Sequence, residues 1–519
     1  MARWFPGRKL SWTRLGILIL VVASLTGAAF YGWTHEQDVK AAAERTPWFD
    51  AYVDVTATPT FPFESPREDG RKNVVLSFIV ADPANTCSPS WGGYYSLDEA
   101  EYSLDLDRRL QRLRNLGGTA MVSFGGQANY DIAYGCTDIQ LLVEGYSSVV
   151  ERYGLGSIDI DIEGAFLRDS GGIARQAAAI RQVQNAREGG LDVWLTLPVS
   201  PDGLTSDGVQ AVRTYLEANV DLAGINAMTM NYGSDSKTPL RQLVERSLQA
   251  TQAQLRSLYA EVNAPMGDAT AWSKVSATPM IGQNDTRNER FTLADAQALS
   301  EFADRKGLGR ISMWSANRDQ QCADNWPDPK QVSDSCSGVE QERGDFSRIL
   351  SKHRPGEISQ IAEAVDTARA DVSQKDDPDT SPYPIWNEKA AYPAETKIVW
   401  KRNVYEAKWW TEGDQPDLAN DSGSQPWHLI GPVLPGEKPQ QRLRLPEATY
   451  PSWSKDIEYR RGDRVMFDGE GYEAKWFSVG DSPDESLVQP QESPWRALTE
   501  AEIEALVSQQ APVSADPEN

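Results

Sequence analysis

The chain has 519 residues, more than one compact core holds, and its 51 Lys and Arg against 75 Asp and Glu leave a formal net charge of −24. That charge repels nucleic acid and anionic lipid and leaves neutral ligands admissible. Only 3 His are present, with no Cys-x-x-Cys or His-x-x-x-His spacing, which argues against a transition-metal site, while 17 Trp and 18 Tyr supply flat rings suited to cores and to the apolar faces of sugars.

Arg3, Arg8, Lys9 and Arg14 mark a basic segment over residues 1–14. An uncharged, mostly apolar run, 15–33, follows, and the first acidic residue is Glu36. The run is long enough to predict a membrane-spanning helix with its basic flank cytoplasmic. Thr26-Gly27-Ala28 offers the alternative of a cleaved signal peptide. Either reading places the remainder outside the cytoplasm, where the four Cys are expected to pair as Cys87–Cys136 and Cys322–Cys336. Four buried thiols are the alternative.

Over residues 48–352, short β-branched and aromatic runs alternate with stretches of helical spacing. Strand-like runs begin near Tyr52, Asn73, Thr119, Ser157, Asp192, Ile225, Ser276 and Arg310. Helical spacing covers 97–116, 138–153, 172–187, 206–219, 239–261 and 293–306. This predicts an α/β domain, a closed (β/α)8 TIM barrel. An open doubly wound sheet would show a Gly-rich phosphate turn after its first strand, and none is present.

The fourth run, Gly156-Ser157-Ile158-Asp159-Ile160-Asp161-Ile162-Glu163-Gly164, alternates strictly. Its Ile side chains face one way, and Asp159, Asp161 and Glu163 the other. In a barrel strand the Ile would pack on helices and the acids would point inward. Carboxylates in one enclosed row repel each other and lose hydration, so at least one keeps its proton near neutral pH. That costs stability and suits acid catalysis. A solvated acidic face is the structural alternative, and it fits poorly with the fourth strand of eight.

Residues 353–385 accumulate Pro, Asp, Ser and Gln and read as a linker, as does the Pro-rich stretch 432–452. Around them lies a repeat. Trp386, Tyr392, Tyr405, Trp409, Gly413 and Pro416 recur 67 residues later as Trp453, Tyr459, Tyr472, Trp476, Gly480 and Pro483. Two small all-β modules, 386–431 and 453–498, are predicted, followed by an acidic tail, 499–519.

The acidic strand resembles the Asp-Gly-x-Asp-x-Asp-x-Glu signature of family 18 glycoside hydrolases, the chitinase family. Ser123-Phe124-Gly125-Gly126 is similar to that family's Ser-x-Gly-Gly motif on the third strand. Met228-Thr229-Met230-Asn231-Tyr232 is similar to its sixth-strand motif, and Met313-Trp314 to its eighth-strand end, where a Trp floors the substrate subsite. Three departures stand out. Gly156-Ser157 replaces Asp-Gly, Met230 stands where many members have Tyr, and Asn231 where many have Asp.

The resemblance implies substrate-assisted hydrolysis without a cofactor. Glu163 would protonate the glycosidic oxygen while the substrate's N-acetyl oxygen attacks the anomeric carbon. Asp161 would hold the acetamido N–H and share a proton with Asp159, and Trp314 would pack under the sugar. Met230, Asn231 and Tyr232 are candidate substrate contacts, with Asn231 and Tyr232 as joint candidates on opposite faces. Ser123, Gly125 and Gly126 are candidates too, with tight barrel packing as the alternative. An amide at 231 is expected to remove a negative charge from beside the row and let Glu163 lose its proton at lower pH.

The repeats resemble chitin-binding type 3 modules, of carbohydrate-binding family 5/12. By that likeness Tyr405, Trp409, Trp410, Tyr472, Trp476 and Phe477 are candidate sugar-binding aromatics, with Trp386 and Trp453 in the cores. The whole then reads as a monomeric, extracytoplasmic, endo-acting chitinase with chitin as its partner. The alternatives are an endo-β-N-acetylglucosaminidase and a non-catalytic chitin-binding barrel, and the presence of Glu163 speaks against the latter.

Overall fold

In the computed structural model the strand-like runs pair into a closed barrel. The strands are β1 (Trp48–Asp54), β2 (Asn73–Ala81), β3 (Thr119–Gly125), β4 (Ser157–Asp161), β5 (Asp192–Ser200), β6 (Leu222–Met228), β7 (Val275–Thr278) and β8 (Arg310–Ile311). Neighbours in sequence are neighbours in space, all parallel, and β8 closes on β1 through Trp48–Arg310 and Phe49–Ile311. The predicted (β/α)8 TIM barrel is therefore the fold of this part. The structure describes residues 12–43, 46–65, 72–187, 190–233, 238–323, 326, 328, 331–360, 376–416, 425–439, 445–446, 448–467, 470–483, 493–498, 502–503 and 506.

The flanking helices are α1 (Leu106–Asn115), α2 (Ile139–Arg152), α3 (Ser170–Asn185), α4 (Ser206–Glu217), α5 (Leu240–Glu261) and α6 (Leu293–Lys306). Their starts are written locally: Asp138 accepts from the Gln140 and Leu141 amides, Asp169 from Gly172, and Thr292 with Asp295 forms a capping box. The predicted 97–116 helix breaks in two, because Asp105 takes a left-handed φ of 48°.

Strand alternation sorts the core into two layers. Ile158, Ile160 and Ile162 face outward and pack with Val149 and Ile180 of the helices. Trp48, Tyr52, Val75, Met121, Trp194 and Ala223 fill the barrel interior, with Ile358 among them. Residues 353–360, read above as the start of a linker, thus belong to the barrel. Gly356 N donates to Pro47 O (3.0 Å) and Gln360 Nε2 to Ala120 O (2.9 Å). One buried Ile in a polar stretch carries too little periodicity to reveal this. Residues 361–375 lie outside the described residues.

The first helix, Trp12–Ala43, contains the uncharged run and continues through Glu36, Asp38 and Lys40. Its charged end docks on the barrel, where Asp38 accepts from Ala269 N (2.9 Å), Thr270 N (3.1 Å) and Thr270 Oγ1 (2.6 Å). The expected membrane-spanning segment is not supported: among the described residues no helix is long and apolar enough to cross a membrane. Residues 1–11 lie outside the described residues. Both disulfides form as expected, Cys87–Cys136 between the loops after β2 and β3, and Cys322–Cys336 within the loop after β8.

From residue 376 onward the described regular structure is mainly β-strand, with a 3-10 turn at Pro378–Thr380 and helical residues at 502–503 and 506. In the first repeat, Lys397–Trp400, Asn403–Ala407 and Trp427–Pro432 form an antiparallel sheet, and Ala391–Tyr392 pairs with Thr411–Glu412. The second repeat does the same with Arg464–Phe467, Glu470–Ala474, Trp495–Ala497, Glu458–Tyr459 and Ser478–Val479. Tyr392 accepts from the Asn387 amide and Tyr459 from the Ser454 amide; Trp427 donates to the Asp414 carbonyl and Trp495 to that of Asp481.

Tyr405 and Tyr472 are corrections to the sequence reading. Each is buried on the inner face of its strand, against Tyr392 and Trp427 or Tyr459 and Trp495, and forms core in place of a sugar-binding surface. Trp409, Trp410, Trp476 and Phe477, beyond the strand ends, are exposed. Asp376 caps the Lys401–Arg402 turn, so the first body begins before residue 386. Ile503, assigned to the acidic tail, packs with Leu445, Met466 and Leu498.

Candidate active site

Every second residue of β4 points into the barrel, so Asp159 sits on its axis, fully buried. Its Oδ2 accepts from Tyr52 Oη (2.7 Å) and Ser123 Oγ (2.8 Å), its Oδ1 from Thr196 Oγ1 (2.6 Å) and Arg310 Nη1 (3.4 Å). Asn226 Nδ2 donates to Thr196 Oγ1 (2.9 Å), and Thr278 Oγ1 donates to Asn226 Oδ1 (2.7 Å). Arg310 also grips Asp50 through Nε (2.7 Å) and Nη2 (3.1 Å). Burial pushes the Tyr52 hydroxyl well up, and Asp159 adds to this, so Tyr52 is a neutral donor.

Asp161 and Glu163 lie nearer the mouth. Asp161 is buried, and its Oδ1 has no hydrogen-bond partner among the described residues. Burial holds its carboxyl well above the usual carboxylate range, reinforced by Glu163, Asp159 and Asp131. Glu163 is half-buried and pushed up to about 7, first by burial and then by Asp285. Both carboxyls face a cleft of about 360 Å³ walled by Gly125, Gly126, Asp131 and Phe166. At mildly acidic pH the row is thus graded, from a fully bonded carboxyl beside a guanidinium to two proton-bearing acids. Among the described residues no cluster of metal-ligating side chains is placed to hold an ion.

No known family model matches the sequence. Two curated proteins match over 303 residues: the probable bifunctional chitinase/lysozyme of Escherichia coli strain K12, 31% identical, and Endochitinase 11 of Metarhizium anisopliae, 30% identical. Each match covers 56% of this chain; the chain spans 33% of the first relative and 56% of the second. The solved catalytic domain of a hyperthermophilic Pyrococcus furiosus chitinase is 28% identical with a TM-score of 0.52, covering 60% of this chain and 96% of that domain. Structures of its catalytic-site mutants complexed with chito-oligosaccharides match at 28% identity and a TM-score of 0.51. The barrel is similar in sequence and fold to the catalytic domains of these chitinases.

Within the barrel Ser123 bonds the buried acid of the row. Gly125, at φ 99°, passes so close to β4 that a Cβ would stand 2.2 Å from the Asp161 carbonyl oxygen. Gly126, at φ 89°, faces the Phe78 ring and donates its amide to the same carbonyl (3.1 Å). Both glycines therefore serve packing of the row. Gly156 has a like reason: a Cβ there would lie 2.7 Å from the Ser359 carbonyl. Trp314 stands at the end of β8, stacked on Phe78 (5.5 Å) and tilted against Tyr52 (5.9 Å) above Asp159.

The sixth-strand motif divides. β6 ends at Met228, so alternation does not continue through Met230, which is half-buried. Tyr232 turns to the helix layer, where its hydroxyl pairs with Ser247 Oγ on α5 (2.8 Å); this removes it from the acidic row. Asn231, at φ 53°, donates through Nδ2 to Asp285 Oδ2 (2.7 Å) and accepts from Thr286 N (3.1 Å). Asp285 acts electrostatically on Glu163. The negative charge expected to be missing at 231 is thus supplied from the loop after β7.

Tyr52, Thr196, Asn226, Arg310, Asp131 and Asp285 escaped the sequence reading. For the first four a signal existed, since each is a polar residue at the inward parity of a predicted barrel strand. Asp131 and Asp285 lie in loops, where no periodicity points.

Proposed function

We propose that this chain hydrolyses β-1,4-N-acetylglucosaminide bonds in chitin or chito-oligosaccharides, outside the cytoplasm, with Glu163 as general acid and the substrate's acetamido oxygen as nucleophile. The observation that carries the reading is the state of the row. A retaining enzyme with its own nucleophile needs an ionised carboxylate free to reach the anomeric carbon. Asp159 is buried and bonded through both oxygens, and Asp161 holds its proton. Glu163, raised to about 7, faces the cleft with a proton it can give up near neutral pH. The nucleophile is then left to the substrate, and Asp161 Oδ1, bare among the described residues, is suited to accept the acetamido N–H. The named activities of the relatives and the oligosaccharides bound to the Pyrococcus furiosus domain support this substrate class. The two disulfides support an oxidising compartment. Hydrolysis of a chito-oligosaccharide followed by proton NMR is the test. The β-anomer is expected first, with retention, whereas an initial α-anomer or inertness on these substrates would remove the reading.

Asp285 gives this mechanism a pH signature. A nearby anion raises the pKa of an acid, so Asp285→Asn should let Glu163 lose its proton at lower pH. Because the acid acts protonated, the alkaline limb of the pH–rate profile should move down by about half a unit to one unit. An unmoved limb would mean that the Asp285 charge does not reach Glu163.

The exposed Trp409, Trp410, Trp476 and Phe477 are read as stacking surfaces for sugar rings, tethered to the catalytic barrel. A chain ended at residue 365, which keeps the segment over the barrel floor, should hydrolyse soluble oligosaccharides within about 2-fold of the full chain. On insoluble chitin it should be slower by about 10-fold or more, the lost effective concentration. Comparing the two substrates checks this; parallel losses would show that the repeats support the barrel itself.

A further inference from the structure

The loop after β3 presents an acid that the mechanism above does not use. Asp131 opens the short helix Ile132–Gly135, and its Oδ1 accepts from Ala133 N (2.7 Å) and Tyr146 Oη (3.1 Å). Tyr146, on α2, accepts from Gln176 Nε2 on α3 (3.2 Å), and Gln176 Oε1 accepts from Tyr215 Oη on α4 (2.7 Å). These side chains are all buried, so three helices fix one oxygen of Asp131.

The other oxygen is treated differently. Oδ2 is buried, has no partner among the described residues, and lies 3.5 Å from where a Cβ on Gly125 would stand. The Asp161 carbonyl oxygen is 2.2 Å from the same point, and Asp131 shares the cleft wall with Asp161 and Glu163. Asp161 Oδ1 is a second bare carboxyl oxygen on that wall. Buried acceptors left bare destabilise a fold, so two in one cleft call for a role.

We propose that Asp131 is a positioning residue for the acidic row: its fixed, bare carboxyl, set against Gly125, holds Asp161 in its neutral form, ready to bond the substrate. The role rests on the mechanism proposed above. Burial pushes Asp131 itself up to about 6, so above that pH it is an anion facing the row. It adds to the effects of burial, Glu163 and Asp159 that keep the proton on Asp161. The groups facing Asp131 are Tyr146 from α2, with Gln176 and Tyr215 behind it, Asp161 at the end of β4 and Glu163 just beyond it. Arg175 on α3 donates to the Ala133 carbonyl on the adjoining turn (3.0 Å).

The test is the midpoint of Asp161, read by carboxyl NMR in 13C-aspartate-labelled full-length protein and assigned with Asp161→Asn. In Asp131→Asn the midpoint should fall by about half a unit or more. KM for a chito-oligosaccharide should stay within about 2-fold. An unmoved midpoint overturns the proposal. So does a raised KM with an unmoved midpoint, which would make Asp131 a substrate contact. Should Asp131→Asn not fold, Tyr146→Phe removes a donor from Oδ1 and lets Asp131 stay neutral to higher pH. The Asp161 midpoint should then move in the same direction, and its constancy counts equally against the role. The NMR readout needs no turnover, so an inactive native chain would remove the proposed function and leave this inference to be judged separately.

Discussion

Glu163→Gln should lower kcat on a chito-oligosaccharide by about 10²–10⁴-fold while KM changes little. The amide keeps the shape of the side chain and removes the proton that the leaving oxygen needs. The same substitution should stabilise the protein at alkaline pH. Burial and then Asp285 raise the folded pKa of Glu163 from 4.5 to about 7. A carboxyl raised in this way contributes stability below its unfolded pKa and loses it as pH rises through the folded value. Above pH 7 the native chain therefore carries a penalty of up to ~3 kcal/mol that the amide lacks. Urea denaturation at pH 4.5 and pH 8 measures it: the two proteins should be alike at the lower pH, and Glu163→Gln the more stable at the higher. Near-native hydrolysis by the amide would show that the acid lies elsewhere.

Arg310→Gln should cost about 3–5 kcal/mol at neutral pH. The guanidinium is fully buried, bonds both oxygens of Asp50, reaches Asp159, and lies 5.2 Å from the centre of the Trp194 ring. Desolvation alone would pull its pKa down; Asp50, Tyr52 and Asp159 outweigh this and keep it charged. Removing the cation leaves two carboxylates in the barrel centre without countercharge. Arg310→Lys should recover part of the loss, since one ammonium cannot serve both acids with the fork geometry of arginine. A loss under about 1 kcal/mol at pH 8 would mean that the carboxylates find other partners.

The strict alternation of Ile158 to Glu163 determined which side of β4 is acidic, because the pleat allows only two faces. Asp138, Asp169 and Thr292 marked helix starts by their own side chains, and the 67-residue offset made one module predict the other. These features are local or repeated, and the chain carries them before it folds. Barrel closure decided the rest. It brings Tyr52, Ser123, Thr196 and Arg310, up to 151 residues from Asp159 in sequence, onto one carboxyl. It packs Ile358 under the barrel and turns Tyr232 outward, since β6 stops at Met228 and a strand's parity ends with the strand. It also places Asp285 against Asn231, so the charge acting on Glu163 comes from a loop whose position no pattern encodes. In the small repeats, Tyr405 and Tyr472 became core because a body of that size buries whatever aromatics its few inward positions offer. Periodicity specifies the face a side chain takes; which groups meet across a core depends on how distant segments close on one another.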